Sequence, residues 1–410
     1  MKSRPSLVLI LACAQLVGPA RAAFGGESEI AGPGVASRSA VLLDATTGAL
    51  LYEKSADTVI PPASLTKLMT MHLVLEDVAA GRLSLDDRVA LPRETWAARQ
   101  PWGSSLMFLA PGQRVTLREV MLGMAVASGN DAAVAAAIHT AGSVAAFVER
   151  MNAEARALGL ARTHFVDPSG YSEFNLTTAR DFAAFCKIYL GRHPETLSEF
   201  HAVREFAYPQ SSNLPESFRD KPGTVIQNNR NLLLGEVEGV DGLKTGYTPE
   251  SGYNIVLTAR RGETRLLAVL LGGPGANSAQ GGRVRAEDGG RLLDWGFAHF
   301  RTIRPVVEHL DPIRVWKGAR NEVALVPTEP LEFTAGNDRA DTVTWELRRN
   351  PAPIAPLAAG DVLAELVFSD QFGELRRVPL AAAAEVRPGN IWKRALDSVA
   401  LFFLRLFGKI

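Results

Sequence analysis

A serine and a lysine three positions apart, Ser64 and Lys67, lie at the start of a strongly apolar segment of the chain. On an α-helix, positions i and i+3 share one face, so we expect the hydroxyl and the amine to be neighbours. Apolar surroundings lower the pKa of a lysine because they disfavour its charged form. A neutral amine can accept the proton of a serine hydroxyl, which makes the serine a nucleophile. Near a helix N-terminus, the backbone N–H of Ser64 would also point at a developing oxyanion.

The segment Ser128-Gly129-Asn130 lies between two predicted apolar helices and places a hydroxyl and an amide two residues apart at a bend. The hydroxyl can relay a proton, and the amide can hold either a substrate carbonyl or the lysine amine. Ser211-Ser212-Asn213 has the same spacing, but it lies in a polar, proline-containing loop without helical flanks. We therefore expect Ser128 and Asn130 to face the cleft that contains Ser64.

The segment Lys244-Thr245-Gly246 comes immediately before a predicted β-hairpin. Lys244 supplies a positive charge and Thr245 a hydroxyl donor, which together suit a carboxylate. Gly246 would let a substrate lie close against the strand backbone. Each motif is unspecific alone, since Ser-x-x-Lys is expected roughly once by chance in a chain of this size. The three motifs in this order are far more specific.

These motifs need elements that bring them together, and the apolar pattern predicts strands at both ends of one domain with helices between them. The predicted hairpins cover 40–53 and 253–271, and the predicted helices are 64–81, 117–126, 131–139, 147–160, 178–190 and 286–300. The natural arrangement is an α/β (α+β) domain with one antiparallel sheet and a helical cluster beside it.

After residue 303 the sequence changes to short alternating strands, which predict a small all-β domain over 304–388. Residues 389–410 then predict an amphipathic helix whose apolar face carries tryptophan and phenylalanine, while the other face carries four cations and one acid. Such a helix is typical of an in-plane membrane anchor. The alternative is a terminal helix packed on the protein. In either case, the apolar run of this helix is too short to span a bilayer.

The first 22 residues predict a secretory signal peptide, with Lys2 and Arg4 before an apolar run and Ala20-Arg21-Ala22 as a cleavage site. We expect residues 23–303 to form the catalytic domain of an exported protein. The mature chain would keep one cysteine, Cys186, in an apolar helical pattern that predicts a buried, inert thiol. An intrachain disulfide is therefore excluded.

The composition sets further limits on function. The chain has 410 residues, of which 47% are hydrophobic and 21% charged, which fits a globular protein of two domains. Basic and acidic residues both number 44, so the whole chain offers no basic surplus for nucleic acid. The seven histidines show no His-x-x-x-His spacing and no His–Glu pairing, so we expect a reaction without metal or other cofactor.

The order Ser-x-x-Lys, Ser-x-Asn, Lys-Thr-Gly resembles the serine acyl-transferases of the penicillin-binding protein and β-lactamase superfamily. Further runs resemble the low-molecular-mass D-alanyl-D-alanine carboxypeptidases, namely Trp102–Leu109, Ser128–Ala132, Ala157–Leu160, Thr163–Phe165, Thr178–Asp181, Asn229–Asn231, Val240–Gly246 and Trp295–Phe297. The likeness covers about Arg38 to Phe300 by sequence. It covers the β domain and the terminal helix by architecture, because that family has both.

The resemblance implies a role for each matching residue. Ser64 would be the acylated nucleophile and Lys67 its general base. Ser128 and Asn130 would complete the proton-transfer and amide-binding side. Carboxylate binding would be the role of Lys244, Thr245, Gly246 and Arg285. The backbone N–H groups of Ser64 and Tyr247 would form the oxyanion hole. Arg283 is an alternative to Arg285. Tyr247 stands where some relatives have histidine, and Asp167-Pro168-Ser169-Gly170 replaces a histidine–glycine pair, so the cleft lining is expected to differ.

The activity implied by the resemblance is removal of the terminal D-alanine from peptidoglycan stem pentapeptides, with β-lactam antibiotics as inhibitors. The protein would act at the periplasmic side of the cytoplasmic membrane, held peripherally by its terminal helix. Alternatives are a D,D-endopeptidase that cuts cross-links, a β-lactamase, and a catalytically silent wall-binding protein. A β-lactamase needs an acid that activates the deacylating water, and Glu173 is the nearby candidate.

Overall fold

The computed structural model describes residues 31–407 apart from Lys221 and Pro351, so the predicted signal peptide lies outside the described residues. Within this part the α-helices are α1 Lys67–Ala79, α2 Leu117–Leu122, α3 Asn130–Ala141, α4 Val144–Ala157, α5 Ala179–Arg192, α6 Ser278–His299, α7 Asn337–Ala340 and α8 Ile391–Leu406. The strands are β1 Ser39–Asp44, β2 Leu50–Lys54, β3 Arg88–Val89, β4 Val115–Thr116, β5 Glu205–Tyr208, β6 Val225–Asn228, β7 Val240–Thr248, β8 Gly252–Arg261, β9 Thr264–Gly273, β10 Phe300–Ile303, β11 Ile313–Arg314, β12 Glu322–Val323, β13 Leu325–Pro327, β14 Phe333–Gly336, β15 Thr344–Arg349, β16 Val362–Asp370 and β17 Gly373–Ala382.

The main sheet has the strand order β2-β1-β9-β8-β7, and all of its neighbouring strands are antiparallel. Strand β1 lies between β2 and β9, with Ala40 opposite Leu270 and Leu42 opposite Ala268. The N-terminal hairpin therefore joins the hairpin that follows more than 200 residues later. The predicted single antiparallel sheet, built from both ends of the domain, is confirmed.

The two faces of this sheet belong to two different hydrophobic cores. Val41 and Val269 point to one side and pack with the helical cluster of α1 to α5. Leu42 and Leu270 point to the other side and pack with Leu292 and its neighbours on α6. Because side chains alternate along a strand, the unbroken apolar run of β1 covers both faces. The sheet is thus sandwiched between helices, and α1 is buried in the larger core.

Two predicted helices have different bounds in the structure. The segment predicted as a helix over 117–126 ends at Leu122, continues as a π-helical turn over Gly123–Ala127 and stops at Ser128, whose φ is 60°. Helix α6 starts at Ser278, about two turns before the predicted start at residue 286. Its first turns contain paired glycines, and a Cβ at Gly281 would lie 2.0 Å from the ring of Tyr253. The glycines that allow this close packing remove the apolar pattern that would predict a helix.

A separate β-rich region follows, as predicted, with a four-stranded sheet in the order β13-β17-β16-β15 and its own core. Its first strand, β10, pairs with β14 although β10 precedes residue 304. The buried carboxylate of Asp44 joins this region to the main sheet, because its Oδ2 accepts hydrogen bonds from Thr302 Oγ1 at 2.6 Å and Thr334 Oγ1 at 2.8 Å.

The predicted terminal helix is present as α8, capped by the side chain of Asn390. Asp397 fixes it to the β-rich region, since its carboxylate accepts a hydrogen bond of 2.6 Å from the backbone N–H of Lys317. The large apolar side chains on the opposite face are exposed, with Trp392 at 78% and Phe402 at 62%. Within the described part, no single helix has the length and apolar content to cross a membrane, whereas α3 and α4, bent by 85°, pass that test as a pair.

Candidate active site

The predicted proximity of Ser64 and Lys67 is present in the structure. Ser64 lies in a 3-10 turn over Ala63–Thr66, and Lys67 is the first residue of α1. The Lys67 Nζ atom is 3.1 Å from Ser64 Oγ. Ala63, just before the serine, has a φ of 51°, a value that costs energy in a residue with a side chain. The turn that presents Ser64 is therefore strained and held by its surroundings.

The Lys67 amine is fully buried and has three partners. Besides Ser64 Oγ, its Nζ lies 2.7 Å from Asn130 Oδ1 and 2.7 Å from the backbone oxygen of Ser169. Burial lowers the pKa of Lys67 to about 7, against the opposing charge of Asp167. In the neutral amine, two hydrogens serve the two acceptor-only partners and the lone pair is left for the Ser64 hydroxyl. The geometry thus orients the base toward the nucleophile.

Ser128 and Asn130 lie on the opposite side of the same cleft. Ser128 Oγ is buried and has no hydrogen-bond partner among the described residues. Asn130 holds Lys67 through its oxygen and donates from Nδ2 to Ser104 Oγ at 3.1 Å. A buried hydroxyl without a partner costs free energy in the resting protein, so a bound substrate or a transferred proton would satisfy Ser128.

Asp131 anchors this motif, although it was not among the predicted site residues. Its carboxylate accepts hydrogen bonds from the backbone N–H groups of Met107, Phe108 and Leu109 at 2.8 to 3.0 Å. Burial raises the pKa of Asp131, and these N–H groups oppose the rise. The contact fixes the loop that carries Ser105, which lines the cleft.

A second carboxylate, the half-buried Asp167, holds the loop on the far wall. It accepts hydrogen bonds from Ser169, Gly170, Ser172 and Asn175, and its pKa is lowered by those donors although burial opposes them. This network places the Ser169 carbonyl against Lys67. The segment Asp167-Pro168-Ser169-Gly170, where a departure was predicted, is thus held largely by its own side chains. Thr70 of α1 adds a hydrogen bond of 2.6 Å from its Oγ1 to the backbone oxygen of Pro168.

Lys244 and Thr245 lie inside a strand, since β7 runs from Val240 to Thr248 and pairs with β8. The motif comes before the hairpin of β8 and β9, as predicted, but it lies on a strand of its own. That strand was not predicted, because Asp241, Gly242 and Gly246 interrupt its apolar pattern. Burial lowers the pKa of Lys244 well below its usual value, and the neighbouring cations Lys67, Arg230 and Arg285 add to the effect.

Gly246 brings β7 against the nucleophile turn. A Cβ at this position would lie 2.9 Å from the backbone oxygen of Pro62 and 3.1 Å from the backbone nitrogen of Ser64. Both distances are shorter than ordinary van der Waals contact. The glycine is therefore required by contact with the turn that carries Ser64, a requirement in addition to the predicted approach of a substrate.

Arg285, rather than Arg283, lies in the cleft. Its guanidinium donates to the backbone oxygens of Gly246 and Arg230 at 3.3 Å, and burial together with the charge of Arg230 lowers its pKa to about 10. Arg283 is exposed on the other side of α6. Arg230 lines the same cavity and donates to Ser105 Oγ at 2.8 Å. It was missed as a site residue, although it occupies the centre of the Asn229–Asn231 run.

The cleft consists of two adjoining cavities, of ≈ 580 and ≈ 610 Å³, that share Ser64, Ser105 and Tyr247. Arg230, Arg285, Thr245 and Gly246 line one cavity, so it favours an anion. Aromatic side chains at Trp102, Tyr171 and Phe174 line the other, together with Glu173. Glu173 is exposed on the rim. The Tyr247 ring stacks on that of Tyr253 at 4.4 Å, while its backbone faces the nucleophile turn.

The arrangement of a serine hydroxyl beside a buried lysine amine, a Ser-x-Asn bend, and a Lys-Thr-Gly segment on the edge strand of an antiparallel sheet is that of a serine acyl-transferase of the penicillin-binding class. The sequence model of the family described as D-alanyl-D-alanine carboxypeptidase matches residues 27–275. The model of the penicillin-binding protein 5 C-terminal domain matches residues 305–388. The chain belongs to the D-alanyl-D-alanine carboxypeptidase family, and within it to the serine-type enzymes that carry this second domain.

Individual relatives agree with this assignment. The chain is 33% identical over 393 residues to D-alanyl-D-alanine carboxypeptidase DacC of Escherichia coli strain K12, covering 94% of this chain and 93% of the relative. It resembles the crystal structure of penicillin-binding protein 5 from Haemophilus influenzae with a TM-score of 0.76 at 30% identity, over 87% and 99% of the two chains. It also resembles penicillin-binding protein D2 of Listeria monocytogenes in its ampicillin-bound form, with a TM-score of 0.54 at 29% identity, over 64% and 98%.

Proposed function

We propose that this enzyme removes the terminal D-alanine from peptidoglycan stem pentapeptides through an acyl-enzyme on Ser64. The observation that carries the proposal is the fully buried Lys67 amine, 3.1 Å from Ser64 Oγ, beside a cavity rich in cations. The first feature activates a nucleophile. The second suits a substrate that ends in a free carboxylate.

Acylation begins when the neutral Lys67 amine accepts the proton of Ser64. The Oγ atom then bonds to the carbonyl carbon of the penultimate D-alanine, and the carbonyl oxygen becomes an oxyanion facing the backbone N–H groups of Ser64 and Tyr247. The C–N bond breaks as the departing amine receives the proton from Lys67, relayed by the Ser128 hydroxyl. Free D-alanine leaves, and an ester remains on Ser64.

Deacylation reuses the same base. A water molecule gives a proton to Lys67 and bonds to the ester carbonyl carbon, and collapse of the intermediate returns a proton to Ser64 Oγ. The shortened peptide leaves with a new carboxylate. Glu173 is exposed on the rim, which argues against the arrangement expected of a β-lactamase, where a dedicated acid activates this water.

The cationic cavity would bind the carboxylate of the substrate. The Thr245 hydroxyl and the charges of Lys244, Arg230 and Arg285 would receive the C-terminal carboxylate of the substrate. β-Lactams carry a carboxylate near a strained amide, so they would occupy the same positions and acylate Ser64. An endopeptidase remains the second candidate, and the match of residues 305–388 to the C-terminal domain favours the carboxypeptidase.

The same proposal places the protein at the periplasmic side of the cytoplasmic membrane, exported by residues 1–22 and held peripherally by α8. Its support is the exposed row of Trp392, Phe402 and Phe403 beside Lys393 and Arg394, which suits the headgroup boundary of an anionic bilayer.

The test is a comparison of three substrates with purified enzyme. We expect release of free D-alanine from a pentapeptide to be faster than cleavage of a cross-linked dimer, with little hydrolysis of nitrocefin. Faster cleavage of the dimer would identify an endopeptidase, and rapid nitrocefin turnover a β-lactamase. A Ser64→Ala variant that still releases D-alanine would overturn the proposed chemistry.

A further inference from the structure

A cluster of three potential metal ligands lies away from the cleft. His72 and Glu76 are on α1, and His193 follows the last residue of α5. One ligand atom from each lies within 4.8 Å of the other two. None of the three residues lines either cavity of the active site. The cluster is therefore separate from the serine chemistry.

The distances match those between ligands around one metal ion. His72 Nδ1 is 3.0 Å from His193 Nε2, and His193 Nε2 is 3.3 Å from Glu76 Oε1. Ligands about 2.0 Å from a tetrahedral zinc ion lie roughly 3.3 Å from one another. Two imidazole nitrogens and one carboxylate oxygen are also a ligand set that zinc accepts, with the fourth position left for water.

A fourth side chain fixes the orientation of one ligand. Glu154, on α4, lies 3.2 Å from His72 Nε2 through its Oε1 atom. A carboxylate in this position accepts a hydrogen bond from Nε2–H, so the lone pair of His72 sits on Nδ1, the atom that faces His193. Ligating histidines in metal sites are held by carboxylates in this way.

The surroundings keep the rings in place and leave an entrance. The His72 ring packs edge-on against Phe185 and Tyr189, at 5.7 and 6.4 Å between centroids, and both histidines are buried. The Glu76 side chain is 35% exposed, so an ion can enter from its side. Arg192 lies 3.5 Å from Glu76 Oε2 and from Glu154 Oε1, which leaves Glu76 Oε1 directed at His193.

We propose that His72, Glu76 and His193 bind one divalent transition-metal ion of the zinc class, which ties α1 to the end of α5. The sequence analysis found no histidine–glutamate pairing, and this was wrong, because His72 and Glu76 are one helical turn apart. His193 lies 121 residues from His72, so no local spacing reveals the third ligand. The ion has no part in the proposed reaction on Ser64.

The test uses the purified protein, stripped with a chelator and then titrated with Zn²⁺ or Co²⁺. We expect one ion per chain, a tetrahedral Co²⁺ absorption spectrum, and a higher unfolding temperature with Zn²⁺. Glu76→Gln and His193→Asn should lose this binding, and Glu154→Gln should weaken it by about 10- to 100-fold. Glu76→Gln keeps the shape of a half-exposed side chain, so it tests binding even where His193→Asn fails to fold.

The matched control is His309→Asn, because His309 and Asp311 form an exposed histidine–carboxylate pair, 3.4 Å apart, outside this cluster. It should bind Zn²⁺ and Co²⁺ as the unaltered protein does. Absence of stoichiometric binding would overturn the proposal, and so would equal binding by Glu76→Gln. Penicillin labelling of the metal-stripped protein measures the reactivity of the serine site independently. A failure of the proposed serine chemistry can therefore be told apart from a failure of the proposed metal site.

Discussion

The base in the proposed reaction, the Lys67 amine, owes its properties to the residues that surround it. Lys67 is enclosed by the helical core, and the same burial that lowers its pKa would cost several kcal/mol if the amine stayed charged without partners. Asn130 and the Ser169 carbonyl limit that cost. What would be a destabilising lysine in an ordinary helix is here an amine directed at one hydroxyl, as the proposed role of proton acceptor requires.

Ser64→Ala should abolish covalent labelling by a fluorescent penicillin, because the atom that forms the ester is removed. The variant should fold, since the change deletes one partly exposed hydroxyl. Labelling is read on a denaturing gel, and circular dichroism checks the fold. Ser211→Ala, in the second Ser-x-Asn sequence, is the control and should label normally. Persistent penicillin labelling of Ser64→Ala would show that another residue is the nucleophile.

The rate of acylation should rise with pH through about 7, because the folded pKa of Lys67 lies there and only the neutral amine accepts a proton. Stopped-flow acylation by a chromogenic cephalosporin across pH 5.5 to 8.5, about one and a half units either side of that pKa, measures the profile. Lys67→Ala should slow acylation by about 10²- to 10⁴-fold and remove this dependence. An unchanged profile in the variant would exclude Lys67 as the base.

The same shift affects stability. The folded pKa of Lys67 lies below the value of the unfolded chain, so the unfolded state binds more protons at neutral pH. The contribution of this group to the free energy of unfolding therefore increases as pH rises from about 7 toward 10.5. Below pH 7 the folded state must charge a buried amine, and that contribution is lost.

At the scale of elements, two hydrogen-bonded carboxylates and one glycine hold the cleft together. Asp131 ties the α3 start to the loop of Met107–Leu109, and Asp167 forms the opposite loop. Gly246 lets β7 contact the nucleophile turn. Asp131 and Asp167 contact no substrate in the proposed mechanism. They position the loop with Ser105 and the Ser169 carbonyl that holds Lys67, whereas Gly246 itself lines the cationic cavity.

Asp131→Ala should lower the free energy of unfolding by at least about 2 kcal/mol, because it leaves several buried N–H groups without an acceptor. It should also slow acylation, since Asn130 and Ser105 lose their support. Urea denaturation measures the first effect and penicillin labelling the second. Asp338→Ala, on an exposed part of the β-rich region, should change neither. Unchanged urea stability of Asp131→Ala would contradict the anchoring role.

Gly246→Ala should reduce acylation strongly, because the added methyl group meets backbone atoms at 2.9 and 3.1 Å and displaces the Ser64 turn. The control is Gly290→Ala in α6, where a Cβ meets nothing within 4 Å. That change should stabilise the protein by about 0.5–1 kcal/mol and leave labelling intact. The penicillin-labelling rates of the two variants are compared. Equal rates would contradict the requirement for Gly246, because they would show that β7 can move to make room for the methyl group.

The sequence predicted the existence of these elements better than their bounds. The three motifs pointed to Ser64, Lys67 and Lys244 because their spacing is local. Arg230, Asp131 and the start of α6 were missed, since their roles depend on contacts across the fold. Glycines hid the first turns of α6 and the strand character of β7, because a residue chosen for close packing carries no apolar signal.

At the scale of the whole molecule, two domains and a terminal helix are connected in series. The hydrogen bonds of Asp44 to Thr302 and Thr334 join the first two, and Asp397 joins the helix to the second. The cleft lies in the first domain and the exposed apolar row on the last helix. Catalysis and membrane binding should therefore be separable.

Deleting residues 391–410 should release the protein from anionic vesicles and leave D-alanine release from a soluble peptide unchanged, because no residue of α8 lines the cleft. Vesicle co-sedimentation and the peptide assay measure the two properties. Trp392→Ala combined with Phe402→Ala tests the apolar row with the helix still present and should weaken binding. Undiminished sedimentation of the deletion variant would assign membrane binding to another surface.

The pairing of β1 with β9 has a consequence for the order in which the protein is made. A growing chain that has reached residue 250 already contains Ser64, Lys67, Asn130 and Lys244, but it lacks the strand that β1 needs. Without β9 the main sheet cannot close, and the core that buries the Lys67 amine and lowers its pKa is incomplete. In the proposed mechanism, the newly emerging chain therefore carries these residues before they can react, and reactivity should arise only when the last strand of the sheet joins the first.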